Sequence, residues 1–168
     1  MALWRSTWDS EWAKDAALLP ARLALGSSMV YHGTSKLRGE GPQQTGQMFE
    51  GLGLKPGTFW ATATGVAETF AGIASILGIA TRPAALAVLV TQAVAVAKVH
   101  ASKGYDMMKG GFEYNAALMA IALALLVAGP GRLSAHEALE NAARGKGTKG
   151  LWRRAKPSGF LRAVLLVK

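Results

Sequence analysis

Six residues of this chain set an ionisable side chain against an apolar background. Glu68 stands in the middle of residues 58–79, a run long and apolar enough to cross a bilayer. A carboxylate at that depth is costly unless it is paired or keeps its proton. Arg22, His32 and Lys36 lie in and just after an earlier apolar run, His100 closes a third, and Glu113 opens a fourth. Carboxylates and imidazoles can hold and pass protons, and cations can hold an anionic head group. Glu68, His100 and Glu113 are therefore the candidate catalytic residues. Arg22, His32 and Lys36 are the candidate substrate-binding residues. No set of residues suggests a metal site. The plainer alternative for Glu68 is that it ties helices together through one basic partner.

Depth along the helices suggests how the six would meet. Arg22 lies about 12 residues, or roughly 18 Å, inside the outer end of its span, and Glu68 about 11 residues, or roughly 16 Å, inside its own. A direct Arg22–Glu68 pair is expected. His32, Lys36, His100 and Glu113 should form a ring above it, with His100 close to Glu113. Around Glu68 the face is small (Ala61, Gly65, Gly72, Ser75), as it is beyond Glu113 (Ala116, Ala117, Ala120). Small faces let helices approach closely or leave room for a ligand. The expected arrangement is an outward-facing pocket above the pair.

Four apolar helices must position these groups, over residues 16–31, 58–79, 84–100 and 112–128. Trp4, Trp8 and Trp12 recur every four residues, which suggests an interfacial helix over 1–15. In the connection 37–57, Met48, Phe49 and Leu52 suggest a short helix lying over the bundle as a lid. After Gly129-Pro130-Gly131, residues 133–144 can form another short amphipathic helix. Residues 145–150 read as a glycine-rich linker, and 151–168 as a basic anchor. The expected fold is all-α: an integral membrane four-helix bundle with interfacial helices at the N-terminus, first loop and C-terminus. Its parts are 1–15, a four-span domain 16–131 and a basic tail 132–168.

Composition narrows the function. Hydrophobic residues make up 51% of the 168 and fall in long blocks, which favours a polytopic membrane protein over a soluble one. The chain has no cysteine, which excludes disulfide relay and iron–sulfur chemistry carried by the protein itself. The net charge of +9 lies largely after the last apolar run, so anionic lipid headgroups are the expected partner rather than nucleic acid.

The same residues carry a resemblance. They are Arg22 in the first span, His32-Gly33-Thr34-Ser35-Lys36 at its exit, and Phe49 with Leu52-Gly53-Leu54. Next come Glu68 followed by Gly72 and Leu77-Gly78, then Thr81-Arg82-Pro83-Ala84, and Ala97 with His100. Gly111-Phe112-Glu113-Tyr114 and Gly129-Pro130-Gly131 complete the series. Over roughly residues 19–134 the chain resembles the DoxX family of four-helix bacterial membrane proteins. That resemblance implies a bundle related to quinone-linked thiosulfate-oxidising subunits. It also implies, for some members, assembly with redox-stress proteins such as superoxide dismutase and a sulfurtransferase.

The expected function is a quinone-linked redox subunit of the bacterial inner membrane, acting with partner subunits. The alternatives are a non-catalytic scaffold or accessory subunit, and a carrier for a small anion. Haem between His32 and His100 is disfavoured, because histidines at helix ends usually hydrogen-bond at the interface. Basic residues are densest on the side shared by both termini, which places the termini in the cytoplasm. Cysteines introduced one at a time at Ser102 and Thr148 should therefore react with an impermeant label from opposite sides; labelling from one side would refute this topology.

Overall fold

The computed structural model describes the backbone of residues 11–143 and the side chains of 15–143. The Trp-rich start and the basic tail from 144 onward lie outside the described residues. Six α-helices follow one another: α1 (Glu11–Leu37), α2 (Gly41–Gly51), α3 (Gly57–Leu77), α4 (Thr81–Ala95), α5 (Glu113–Ala128) and α6 (Ala135–Ala143). A π-helical turn, Val96–His100, and a 3-10 turn, Ala101–Lys103, prolong α4. A second 3-10 turn covers Met107–Lys109. No strand occurs among the described residues. Helices stand at all four places where spans are expected, and α2 and α6 occupy the two short amphipathic segments. Residues 11–15 join α1 directly, and Pro20 lies inside that helix.

Among the described residues one run, Thr81–Lys103, is long and apolar enough by composition to cross a membrane. The 16-residue α5 is apolar but shorter. α1 and α3 have the length, but charged and polar residues interrupt both, so the run around Glu68 is less apolar than the sequence reading expected.

α1 packs chiefly on α3, α3 on α4, and α4 on α5, while α1 meets α5 over a shorter stretch. The core is built of small side chains: Ala71, Ala74, Ala84, Ala85, Val88 and Ala122 fill the space between Leu25, Met29, Leu118 and Leu125. Larger side chains point outward. Phe59, Val66, Phe70, Ile73 and Leu77 of α3 are exposed, as are Leu86, Val90 and Val94 of α4.

Glycines set the α1–α3 register. A Cβ on Gly72 would lie 2.7 Å from both the Gly26 carbonyl and the Val30 amide, and one on Gly65 would lie 3.1 Å from the Gly33 carbonyl. The small face of α3 is thus a packing seam filled by α1, not the open space the sequence suggested. Beyond the end of α1, α2 takes over: Gly46 packs against Gly57 and Thr58, and Glu50 Oε1 accepts the Gly57 amide at 3.0 Å, capping α3. At its other end α3 stops at Gly78, which is left-handed (φ 68°), and Ile79 N donates to Ala74 O at 3.0 Å. The turn into α4 therefore lies at 78–80. Thr81 begins the helix and Pro83 sits in its first turn, where a missing amide donor is harmless.

Gly72→Ala should force α1 and α3 apart and cost about 1–3 kcal/mol, read as a fall in unfolding midpoint in detergent. Gly51, whose Cβ would meet nothing within 4 Å, should accept alanine without loss.

Candidate functional site

The register decides which charges meet. Gly26 faces Gly72 and Ile76, and Gly33 faces Gly65 and Thr69. Arg22 therefore lies beside Gly78, about ten residues and roughly 15 Å from Glu68 along the helix. The expected Arg22–Glu68 pair does not form. The depth count placed the start of α3 level with the end of α1, whereas the first turns of α3 project past α1 and pack on α2.

Arg22 is instead a structural clamp. Its Nε donates to Ser75 O (3.0 Å) and Nη2 to Ile76 O (3.0 Å), at the C-terminal turn of α3. Nη1 donates to Pro130 O (2.6 Å) and Leu133 O (2.7 Å), beyond α5. A guanidinium suits this place, because the last helical carbonyls lack intrahelical donors and sit at the negative end of the dipole. Nearby, Arg132 Nε lies 2.8 Å from Asp15 Oδ2, tying the same connection to the start of α1.

Glu68 is 5% exposed and has a different cation. Lys36 Nζ lies 2.6 Å from Glu68 Oε2 and also donates to the His32 carbonyl at 3.1 Å. Lys36 stands one turn beyond His32, and its flexible stem reaches back along α1 to the acid. The half-buried His32 imidazole feels the charges of both Lys36 and Glu68. Its ring lies 5.9 Å from that of Tyr114 on α5 and 5.5 Å from that of Tyr31. Three of the six expected residues, His32, Lys36 and Glu68, are thus gathered where α1, α3 and α5 approach.

His100 and Glu113 are not part of this group. His100 Nδ1 lies 2.7 Å from Gly110 O. A carbonyl only accepts, so Nδ1 carries the proton. Glu113 is exposed, and its Oε2 accepts the Met107 amide at 3.3 Å. No hydrogen bond joins the two, because each holds a different part of the 101–112 loop. The buried face of α5 carries Asn115, Leu118, Ala122 and Leu125, so the Ala117 and Ala120 face points outward.

Sequence reasoning missed the polar partner of that buried face. Asn115 Nδ2 donates to Gln92 Oε1 at 2.8 Å, and Gln92 Nε2 lies 3.8 Å from Met29 Sδ. Both amides are at least 93% buried and join α5 to α4, with α1 beside them. The signal was present, since Asn115 interrupts an apolar run much as Glu68 does. With Lys36–Glu68 and the His32–Tyr114 contact, these amides make a polar belt across the helices. The belt can hold a polar head, donate hydrogen bonds from Tyr114, His32 and Lys36, and keep a proton between Lys36 and Glu68.

Arg22→Lys cannot reach all four carbonyls and should lose about 2–4 kcal/mol of stability. The check is the unfolding free energy in mixed micelles, and an unchanged value would remove the clamp role.

The DoxX family model matches residues 17–101, half of the chain, from α1 through the π turn after α4 and including Arg22, His32, Lys36, Glu68 and His100. No curated protein and no solved structure matches the chain. With that match across the helices that hold the ion pair, the chain belongs to the DoxX family of membrane proteins.

Proposed function

We propose that this is a multi-pass inner-membrane protein whose four long helices, α1, α3, α4 and α5, form a membrane-embedded bundle with both termini cytoplasmic. The outward display of Phe70, Ile73, Leu86, Val90 and Val127 around an alanine-rich core supports this reading. Such a surface suits lipid, and such a core suits helices held by close approach rather than by large apolar side chains. α1 and α3 are compatible with a bilayer because Arg22 turns inward to backbone carbonyls and Lys36 is matched by Glu68.

Within the bundle, the proposed role is to bind the head of a lipid-soluble quinone, as a redox subunit acting with partner proteins. The single observation behind this role is the ion pair of part-buried Lys36 with buried Glu68, beside the His32–Tyr114 contact. The donor chemistry fits a quinone, whose two carbonyls need hydrogen-bond donors and whose ring needs an aromatic surface. Tyr114 and His32 offer both, and they meet between α1 and α5, which pack over a shorter stretch than α1 and α3 do, an arrangement that favours access from the lipid. A quinone supplies two-electron, two-proton redox chemistry when bound. In this chain, Tyr114 Oη and a ring nitrogen of His32 hold the head, and Lys36 Nζ keeps a proton that Glu68 holds in place. The electrons come from a reductant on a partner subunit, since a chain without cysteine carries no redox thiol.

A short-chain quinone titrated into the purified protein in nanodiscs should raise its thermal midpoint. Tyr114→Phe combined with His32→Gln should weaken binding at least tenfold, while Glu113→Gln leaves it unchanged. A well-folded protein whose midpoint does not respond to quinone would overturn this role and leave a membrane scaffold.

A further inference from the structure

Two helices of the bundle stop short at the same end. Gly33 packs on Gly65 and Thr69, and the Leu37 side chain lies over Gly65. α1 therefore ends about six residues, or roughly 9 Å, before the level at which α3 begins. On the other side Asn115 bonds to Gln92, which sets Glu113, the first residue of α5, about level with Val94. α4, prolonged by its π and 3-10 turns, overshoots α5 by a similar distance. Each gap is filled from its own side. α2 packs on the projecting turns of α3. Residues 104–112 fold back beside the end of α4, where Gly110 O accepts from His100 Nδ1.

The 104–112 loop is built for a place with little water. Every backbone amide from Met107 to Glu113 has an acceptor within this segment. The carboxylates of Glu113 and Asp106 take the first two, and the carbonyls of Gly104, Tyr105, Asp106 and Met107 take the rest. In water a loop needs no such provision, because solvent satisfies its amides. What the loop turns outward is apolar. Met108 is 87% exposed, and Met107 and Tyr105 are exposed with it. Large apolar side chains displayed on a backbone tied down in this way mark a surface with a partner. Lys103, Asp106 and Lys109 are exposed among them, which keeps the segment out of the hydrocarbon core. Tyrosine, methionine and charge together suit lipid headgroups. α2 shows the same mixture, with Met48 exposed beside Gln44 and Gln47.

The long helices give the level. Phe59, Val66, Phe70, Ile73 and Leu77 form an exposed apolar stripe along the whole of α3. On α4, Leu86, Val90 and Val94 lead up to the exposed Lys98. Counted from the turn at 78–80, Trp60 and Lys98 each lie about 18 residues, or roughly 27 Å, away, which is close to the thickness of a hydrocarbon core. An exposed indole and an ammonium at one level mark a headgroup plane. We propose that residues 104–112, with α2 opposite, are immersed in the phospholipid headgroups at the level of Trp60 and Lys98. This placement rests on reading the bundle as membrane-embedded, and it adds a depth. Glu68 lies about eight residues, or roughly 12 Å, beneath that plane. The Lys36–Glu68 pair and the His32–Tyr114 contact are then reached from within the bilayer rather than from water.

A chain without cysteine makes the test direct. Met108→Cys, Val66→Cys and Leu86→Cys, one at a time in the full chain, each carry a bimane fluorophore, and all three sites are exposed. The proteins are placed in phosphatidylcholine nanodiscs containing a lipid with a nitroxide either on its headgroup or midway along an acyl chain. The label at Met108 should be quenched at least threefold more by the headgroup nitroxide than by the chain nitroxide. The labels at Val66 and Leu86 should show the reverse. A label at Met108 that neither lipid quenches, while Val66 and Leu86 respond to the chain nitroxide, would put the loop in water and overturn the proposal with the membrane reading intact. A label at Val66 quenched chiefly by the headgroup nitroxide would place the surface at the level of the ion pair and overturn it as well. Absence of quenching at all three sites would overturn the membrane reading itself, and this placement with it.

Discussion

Glu68 sits between two closely packed helices with almost no access to solvent, and a carboxylate in that position has to be matched. Lys36 supplies the match from the neighbouring helix, and the rest of the arrangement follows from letting it do so. α1 and α3 must be close enough for a lysine stem to span the gap, hence glycines at 26, 33, 65 and 72 along the seam. They must also be in a register that puts Lys36 a little beyond the acid. α2 secures this by covering the first turns of α3 that project past α1, with Glu50 closing the start of the helix. At the far end Arg22 fixes the same register by binding the carbonyls of Ser75 and Ile76.

The two cations of α1 do different work because of what surrounds them. Arg22 meets backbone carbonyls, which accept hydrogen bonds and carry only partial charge, and its planar fork serves four of them, two at the end of α3 and two in the connection after α5. Lys36 meets a full charge and contributes a compact ammonium that can also carry a proton. This division separates the part of the fold that holds the helices together from the part that can do chemistry. It also separates the polar belt, with His32, Tyr114, Gln92 and Asn115, from the Arg22 clamp at the other end of α1 and α3.

The sequence made the helices legible, and with them the family, because apolar blocks broken by glycine and proline leave few other readings. It also made Glu68, His32 and Lys36 conspicuous, although it paired Glu68 with Arg22 and set the other two in a ring above that pair. What it did not reveal was register. The pairing of Glu68 depends on how far α3 projects past α1, which is set by α2 and by glycine contacts between segments far apart in sequence. The small face of α3 could equally have bounded a cavity, and only the position of α1 shows it to be a seam. His100 and Glu113 lie at the ends of one loop, and sequence proximity suggested a mutual contact. Each proved more useful to the loop backbone, whose carbonyl and amide groups a sequence pattern does not place.

The most direct measurement is a double-mutant cycle on the pair, using Lys36→Met, Glu68→Gln and the two together, with unfolding free energy in mixed micelles as readout. If these side chains neutralise one another, each single change should cost about 3–5 kcal/mol by stranding the partner, and the double change should recover most of that loss. Additive losses, with the double variant as unstable as the sum of the singles, would show that Lys36 and Glu68 act independently and would contradict the account.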